Sequence, residues 1–384
     1  MRHISVLSAG VVAATLVVIG ALMAQVQPAE AVGPPDRYVV VLKQGASEPG
    51  RAAEGMARRY GLGVGFVYGH ALDGFSALIP NRGLGAVRAD ERVEHVEPDK
   101  TYHAATQTLP WGVDRIDADA SSTKSGNGSG SVTNVTAYVI DSGIYSHADL
   151  DAVGHVNFTG DGIPTDCFGH GTHVAGIVAA KDNAKAVVGV GPGVPLIGVK
   201  VLGCDGLGTL TNILKGVDWV TGHAKKPAIA NMSFSGPASQ TLDDAVRKSA
   251  SSGVFYSVAA GNDGAKACNY SPARAGAGTN NGIATTAATD KYDRELSWSN
   301  DGSCVDIWAP GVGILSTRKG GGTESMAGTS QAAAHVGGGA ALYLSSHAGA
   351  APSRVERALK QATKATTNKS KSGSSIVREY VGGF

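Results

Sequence analysis

The chain has 384 residues, 42% of them hydrophobic and 17% charged, with 54 glycines and a formal net charge of +1. That length holds one large domain and a small one, and the balanced charge excludes a polybasic nucleic-acid or membrane-surface protein. Abundant glycine with few charges reads as a compact chain with many tight turns rather than a disordered one.

The N-terminus opens with Arg2 and His3, runs almost wholly apolar from Val6 to Met23, and reaches the small-x-small triplet Ala29-Glu30-Ala31. This is the pattern of a secretory signal peptide, residues 1–31, cut after Ala31, and it makes the mature protein secreted and extracellular. A membrane anchor competes because the apolar run approaches the length of a span, but the cleavage triplet is well placed for removal. No later stretch is apolar over such a length, so no stable membrane association is expected.

Residues 37–103 read as a small α+β domain. "YVVVLK" (38–43) and "GFSALIP" (74–80) are strand-like, with a helical "EPGRAAEGMARRYG" between them; "RGLGAVRAD" suggests a second helix and "VEHVEP" a last strand. The order β-α-β-α-β is ferredoxin-like in type. A larger domain, 105–384, follows, and it alternates strands and helices. "TAYVID" (136–141), "PLIGVKVLG" (195–203), "AIANMSF" (228–234) and "VFYSVAAGN" (254–262) are buried-type strands. "HVAGIVAA" (173–180), "LTNILKGVDWVTGHA" (210–224) and "TLDDAVRKSASSG" (241–253) are helices. Such repetition predicts a mostly parallel sheet with helices on both faces, an α/β three-layer fold. The last helix is expected to open with a capping box, Ser353 and Glu356, after Pro352. Asn134 and Asn157 begin N-x-S/T triplets, and the glycines around Gly189 and Gly191 lack the spacing of a dinucleotide loop.

Four cysteines, Cys167, Cys204, Cys268 and Cys304, in an exported chain favour two disulfides, with three pairings open. Zinc is the lesser reading, since no C-x-x-C pair exists.

Open α/β sheets place reacting groups at the carboxyl ends of their strands. Asp141 ends a predicted strand, while His170 and Ser330 each stand where a helix begins. Singly these are a turn aspartate, a helix-start histidine and a serine cap. Together they supply what a weakly acidic hydroxyl needs to attack a carbonyl: a base within reach, and an anion that fixes the base's tautomer. The order Asp, His, Ser is one of the known triad orders. His170 and His173, three apart, could alternatively be metal ligands.

The motifs "VIDSGI" (139–144), "GHGTHVAGIVA" (169–179), "GVKVLGCDGLGT" (198–209), "NMSFSG" (231–236), "VAAGNDG" (258–264) and "GTSQAAAHVGG" (328–338) run in one order across nearly all of 105–384. On them the chain resembles the subtilisin-like serine proteases, in their proteinase K and aqualysin branch. The resemblance implies a serine endopeptidase in which Asp141 orients, His170 acts as base, Ser330 attacks, and Asn262 donates to the oxyanion. It implies an extended peptide held between Gly206-Leu207-Gly208 and Ser233-Phe234-Ser235-Gly236, with Ala259, Ala260 and Gly261 lining a roomy apolar pocket. It implies the pairings Cys167–Cys204 and Cys268–Cys304, and a calcium ligand at Asp306. Further oxygens for the calcium would come from the loop after "NYSP", which looks longer than usual here.

Residues 32–104 resemble the inhibitory propeptide of that family, which implies a self-cleaving zymogen cut after His103 or Ala104. The implied partners are protein or peptide substrates and the chain's own propeptide. No nucleic acid, no organic cofactor and a monomer are expected. The chain departs from the family at Gln331, where Met is usual, at Ala334, where Pro is usual, and at Phe234-Ser235, where Leu-Gly is usual. An inactive binding or inhibitory module on the same fold is the alternative; its usual mark, a lost triad member, is missing.

Overall fold

The computed structural model describes residues 36–45, 48–99 and 107–384; the predicted signal peptide, 1–31, and the predicted cleavage junction at His103 and Ala104 lie outside the described residues. The chain divides into two compact units, residues 1–103 and 104–384.

The first unit comprises β1 (Asp36–Leu42), α1 (Pro49–Tyr60), β2 (Gly63–Tyr68), β3 (Gly74–Ile79), α2 (Asn81–Arg88) and β4 (Val93–Pro98). Its sheet is antiparallel in the order β2-β3-β1-β4. Pro49 starts α1, where its missing N–H costs nothing. Ala52, Ala53 and Met56 turn inward from α1 onto Val40, Phe75 and Ile79. The ferredoxin-like type stands, but the β-α-β-α-β order is corrected to β-α-β-β-α-β. The added strand, β2, is an edge strand whose side chains are almost all exposed. Two glycines interrupt it, so it carries no inside–outside alternation to read.

The second unit begins with the short helix α3 (Trp111–Arg115). It continues through β5 (Thr136–Asp141), β6 (Ala152–Asn157), α4 (His170–Ala179), β7 (Leu196–Lys200), α5 (Leu210–His223), β8 (Ala228–Met232), β9 (Gly236–Pro237), α6 (Gln240–Ser251) and β10 (Val254–Ala259). Then come β11 (Tyr270–Ser271), β12 (Ile283–Thr289), β13 (Ile307–Pro310), the hairpin β14 (Ile314–Thr317) and β15 (Thr323–Met326), α7 (Thr329–Ser346), α8 (Pro352–Ala362), β16 (Lys364–Lys369) and β17 (Ser375–Arg378). Nine strands form one sheet in the order β16-β17-β13-β12-β10-β8-β5-β7-β6; every pair is parallel except β16 with β17.

Strand alternation builds the three layers. Ala137 and Val139 of β5 face a core shared with α4, α7 and α8. Tyr138 and Ile140 face a second core shared with α5 and α6. α7 is buried over almost its whole length, which is why its stretch from Val336 to Leu344 is wholly Ala, Gly and other apolar residues. The strand order turns at β5: the chain builds β6 and β7 on one side of it, then crosses to β8 on the other. The carboxyl ends of β5, β8 and β10 therefore border a crevice.

The expected capping box at α8 does not form. Ala351 is the N-cap, without a side-chain hydrogen bond, and Pro352 is the first helical residue. Glu356 is instead fully buried and accepts the N–H groups of Asn281 and Gly282 at 2.7 and 2.8 Å. Two main-chain donors outcompeted a local cap.

Candidate active site

Asp141, the last residue of β5, is fully buried. Its Oδ1 accepts the Ser142 N–H at 2.7 Å and the His170 Nδ1–H at 2.8 Å. His170 is the first residue of α4. The strand and the helix meet closely because Gly171 has no side chain: a Cβ there would lie 2.1 Å from the Gly143 carbonyl oxygen. The free N-terminal donors of α4 converge on Asp166, a buried carboxylate. It accepts the N–H groups of Phe168, Gly169 and Thr172 at 3.0, 2.7 and 2.9 Å, and the hydroxyls of Ser142 and Thr172 at 2.9 and 2.5 Å. Burial alone would lower the His170 pKa. The Asp141 carboxylate, by charge and hydrogen bond, and Asp166 beyond it outweigh burial and hold the pKa above the ordinary 6.5.

Ser330 is the second residue of α7 and 8% exposed. Its hydroxyl donates to the Ser233 carbonyl at 2.7 Å, and the Ser233 hydroxyl donates back to the Ser330 carbonyl at 2.8 Å. In this rotamer the hydroxyl proton points at the loop after β8 rather than at His170. Asn262 follows β10, and its Oδ1 accepts the N–H and hydroxyl of Thr329, both at 2.9 Å. That leaves the amide NH2 as its free end. The loop carrying Asn262 is held by the buried Asn300, which accepts from Asp263 and Ala265 at 3.0 and 2.9 Å and donates to the Ala260 carbonyl at 2.9 Å.

His170, Ser330 and Asn262 line one cleft of about 700 Å³, together with Gly206, Ser233, Phe234, Ser235, Gly236, Ala259 and Gly261. Three of the predicted binding residues do not line it. Leu207 stands at the surface, 72% exposed, and Gly208 packs against Leu202 and Val201. Ala260 is sealed beneath the cleft in a cluster with Ala267, Ala273 and Trp308, because strand alternation turns it away from Ala259.

Phe168, which sequence reading missed, also lines the cleft. The residue is 48% exposed, its ring centroid lies 6.5 Å from that of His170, and the ring covers Gly206, where a Cβ would sit 2.7 Å from it. Its one sequence signal was its position two residues before the histidine.

The structure pairs Cys167 with Cys204 and Cys268 with Cys304, at Cα separations of 5.0 and 5.3 Å. Each bridge contributes about 2–4 kcal/mol. Asp161 lies beside the first bridge, but both sulfurs there are committed to each other. The histidine-pair metal reading fails on position. His173 is fully buried, its Nε2 faces the carbonyls of Ile314 and Glu324 at 3.1 and 3.2 Å, and burial presses its pKa down to about 4. It does not share the cleft with His170. At Asp306, where calcium was expected, Oδ1 takes the Lys360 ammonium at 2.6 Å and Oδ2 the Thr285 N–H at 2.9 Å. A carboxylate spent on an ammonium and an amide does not fit a divalent cation.

The family profile described as Subtilase family, Peptidase_S8, matches residues 133–382, and that described as Peptidase inhibitor I9 matches residues 37–105. The chain is 39% identical over 359 residues to "Alkaline serine exoprotease A" of Vibrio alginolyticus, covering 87% of this chain and 65% of that protein, a little under two thirds. It is 39% identical over 358 residues to the "Extracellular serine proteinase" of Thermus sp. (strain Rt41A), covering 85% and 84%. It is 36% identical over 318 residues to "Proteinase R" of Parengyodontium album, covering 80% and 79%. Among solved structures, one described as a cold adapted subtilisin-like serine proteinase aligns with a TM-score of 0.63 at 38% identity, covering 71% of this chain and 97% of that one. A mostly parallel sheet with Asp141 at a strand end, His170 and Ser330 at helix starts, and these matches along both units have one account: the chain belongs to the subtilase family of serine proteases, with an I9-type inhibitor domain before the peptidase domain.

Proposed function

We propose that the protein is a secreted serine endopeptidase, made as a zymogen, that cleaves peptide bonds through Asp141, His170 and Ser330. The observation that carries this reading is the buried Asp141–His170 pair at 2.8 Å opening on the same cleft as Ser330. Before reaction, the Ser330 hydroxyl turns from the Ser233 carbonyl to His170 Nε2. Its oxygen then bonds to the substrate carbonyl carbon while His170 takes the proton, and Asp141 stabilises the imidazolium. The resulting oxyanion receives the Asn262 NH2 and the Ser330 N–H; as the second residue of a helix, Ser330 has no intrahelical partner for that N–H. His170 passes the proton to the leaving amine, and water repeats the sequence on the acyl-enzyme.

An extended peptide bound beside Ser233–Gly236 would complete its backbone hydrogen bonds there. The I9-type domain, 32–104, is the intramolecular inhibitor, released by cleavage after His103 or Ala104. None of these steps is routed through calcium.

A fluorophosphonate should label the purified protein once, at Ser330, with loss of proteolysis; an unlabelled protein, or one labelled elsewhere, would favour the inactive binding module. Phe168 should set substrate choice. Phe168→Ala removes an apolar wall beside His170, and kcat/KM on apolar peptides should fall roughly fivefold, about 1 kcal/mol, mainly through KM. An equal fall in kcat would place Phe168 in positioning His170 instead.

Gln331 should confer tolerance of peroxide, because the residue after the nucleophile holds no sulfur to oxidise. The structure adds a condition. Met326 is half-buried, with Sδ 4.0 Å from Gln331 Nε2. Slow peroxide inactivation is expected, abolished in Met326→Leu and accelerated in Gln331→Met, read as activity half-lives.

A further inference from the structure

The place where a calcium ion was expected holds a cation that the chain itself supplies. Asp306 precedes β13, and its side chain is 9% exposed. Lys360, in the last turn of α8, brings Nζ to 2.6 Å from Asp306 Oδ1 and 3.2 Å from Glu356 Oε1. The opposite oxygens of both carboxylates are also engaged. Asp306 Oδ2 accepts the Thr285 N–H, and Glu356 Oε2 accepts those of Asn281 and Gly282. At the surface the cluster borders a cavity of about 580 Å³ lined by Thr279, Asn280, Arg357, Lys360 and Gln361, so an entering metal ion would meet a second positive side chain.

We propose that the Lys360 ammonium replaces a structural divalent cation at this site, and that Asp306 and Glu356 bind no calcium while Lys360 is present. A divalent ion of this kind takes six to eight oxygens, at about 2.3–2.6 Å. An ammonium offers only three N–H donors, and two carboxylate oxygens here accept from it. The cluster then does what a bound ion does in such a place. It ties α8 to residues 281–285 and to the start of β13, segments that are 20 or more residues apart, using side chains that leave with no chelator. Removing the ammonium leaves two carboxylates facing each other, which is a cation site in waiting.

The test follows melting of the purified protein after treatment with a serine reagent, so that autolysis does not enter. Wild type, Asp306→Asn and Lys360→Ala are each compared in excess calcium chloride and in a chelator. Calcium sites elsewhere contribute equally to all three. Wild type and Asp306→Asn should show the same calcium-dependent change in Tm. Lys360→Ala should show one larger by about 5 °C at saturating calcium. A smaller calcium response in Asp306→Asn than in wild type would mean that Asp306 holds calcium already, and would overturn the proposal. So would a Lys360→Ala response no larger than that of wild type. If Lys360→Ala does not accumulate as folded protein, the comparison of wild type with the near-isosteric Asp306→Asn decides alone. The melting readout needs no proteolysis, so this inference and the proposed activity can fail separately.

Discussion

Ser330→Ala should lower kcat on a peptide substrate by a factor on the order of 10⁶, the scale of the same loss in subtilisin. The reason is that no neighbouring group can take over. Asn262 and the α7 N-terminus would still bind a developing oxyanion, but no side chain would form a bond to the carbonyl carbon. Residual turnover would be that of positioned water, on the order of 10³–10⁴ above the uncatalysed rate. The variant should fold, because a serine hydroxyl that bonds a single carbonyl is lost at modest cost, about 1 kcal/mol. It should also be secreted at the mass of the chain without its signal peptide, with the I9-type domain still attached. Mass spectrometry of the secreted protein beside wild type reads both consequences. A Ser330→Ala protein processed to the wild-type mass in a host lacking other proteases would show that maturation is not self-cleavage.

Asp141→Asn should cost about 10⁴ in kcat, some 5 kcal/mol of barrier, and should also move the pH profile. His170 must be neutral to accept the serine proton, and its pKa is held above 6.5 by Asp141 against burial. Wild-type activity should therefore fall as pH drops through that raised value, with an acid limb above pH 6.5. Stability runs the other way. A histidine whose folded pKa is raised contributes stability that is fully present below its unfolded value, about 6.5, and is lost as pH rises through the folded one. The enzyme therefore works where the ion-pair part of that stability is gone, and a neutral imidazole still donates its Nδ1–H to the Asp141 carboxylate. In Asp141→Asn, burial remains and the carboxylate does not, so the acid limb should move downward. A profile unchanged in position would show that Asp141 does not set the pKa of the base.

The residues legible in the sequence share one property: their chemistry is declared by type and place. Asp141, His170 and Ser330 sit at a strand end and at helix starts, where an α/β sheet gathers its reacting groups, and Asn262 stands in a loop after a strand. The layers were legible as well, because β5 and its neighbours are apolar on both faces. What was not legible depends on partners distant in sequence. Asp166 reads as a turn residue until five donors converge on it. Asn300 reads as a surface polar residue until its bonds to the loop around Asn262 are seen. Glu356, spaced correctly for a cap, was drawn away by two main-chain donors 74 and 75 residues earlier. Lys360 lies 54 residues from Asp306, and no local pattern could have warned that this carboxylate would be paired with an ammonium. Ala260 differed from Ala259 only by strand parity.

The contact of Gly171 with Gly143 has a bearing on how this site tolerates change. The separation of the acid from the base is set by the missing side chain at Gly171 together with the bond its N–H makes to the Ser142 hydroxyl oxygen at 2.9 Å. Even the smallest substituent at 171 would wedge α4 away from β5 and lengthen the Asp141–His170 bond, while every residue that takes part in the reaction stayed in place. A lineage could keep all three reacting residues and still lose the reaction through one added methyl group. Counting triad members is therefore a poor way to decide whether a copy of this chain is alive; the empty place at Gly171 has to be counted with them.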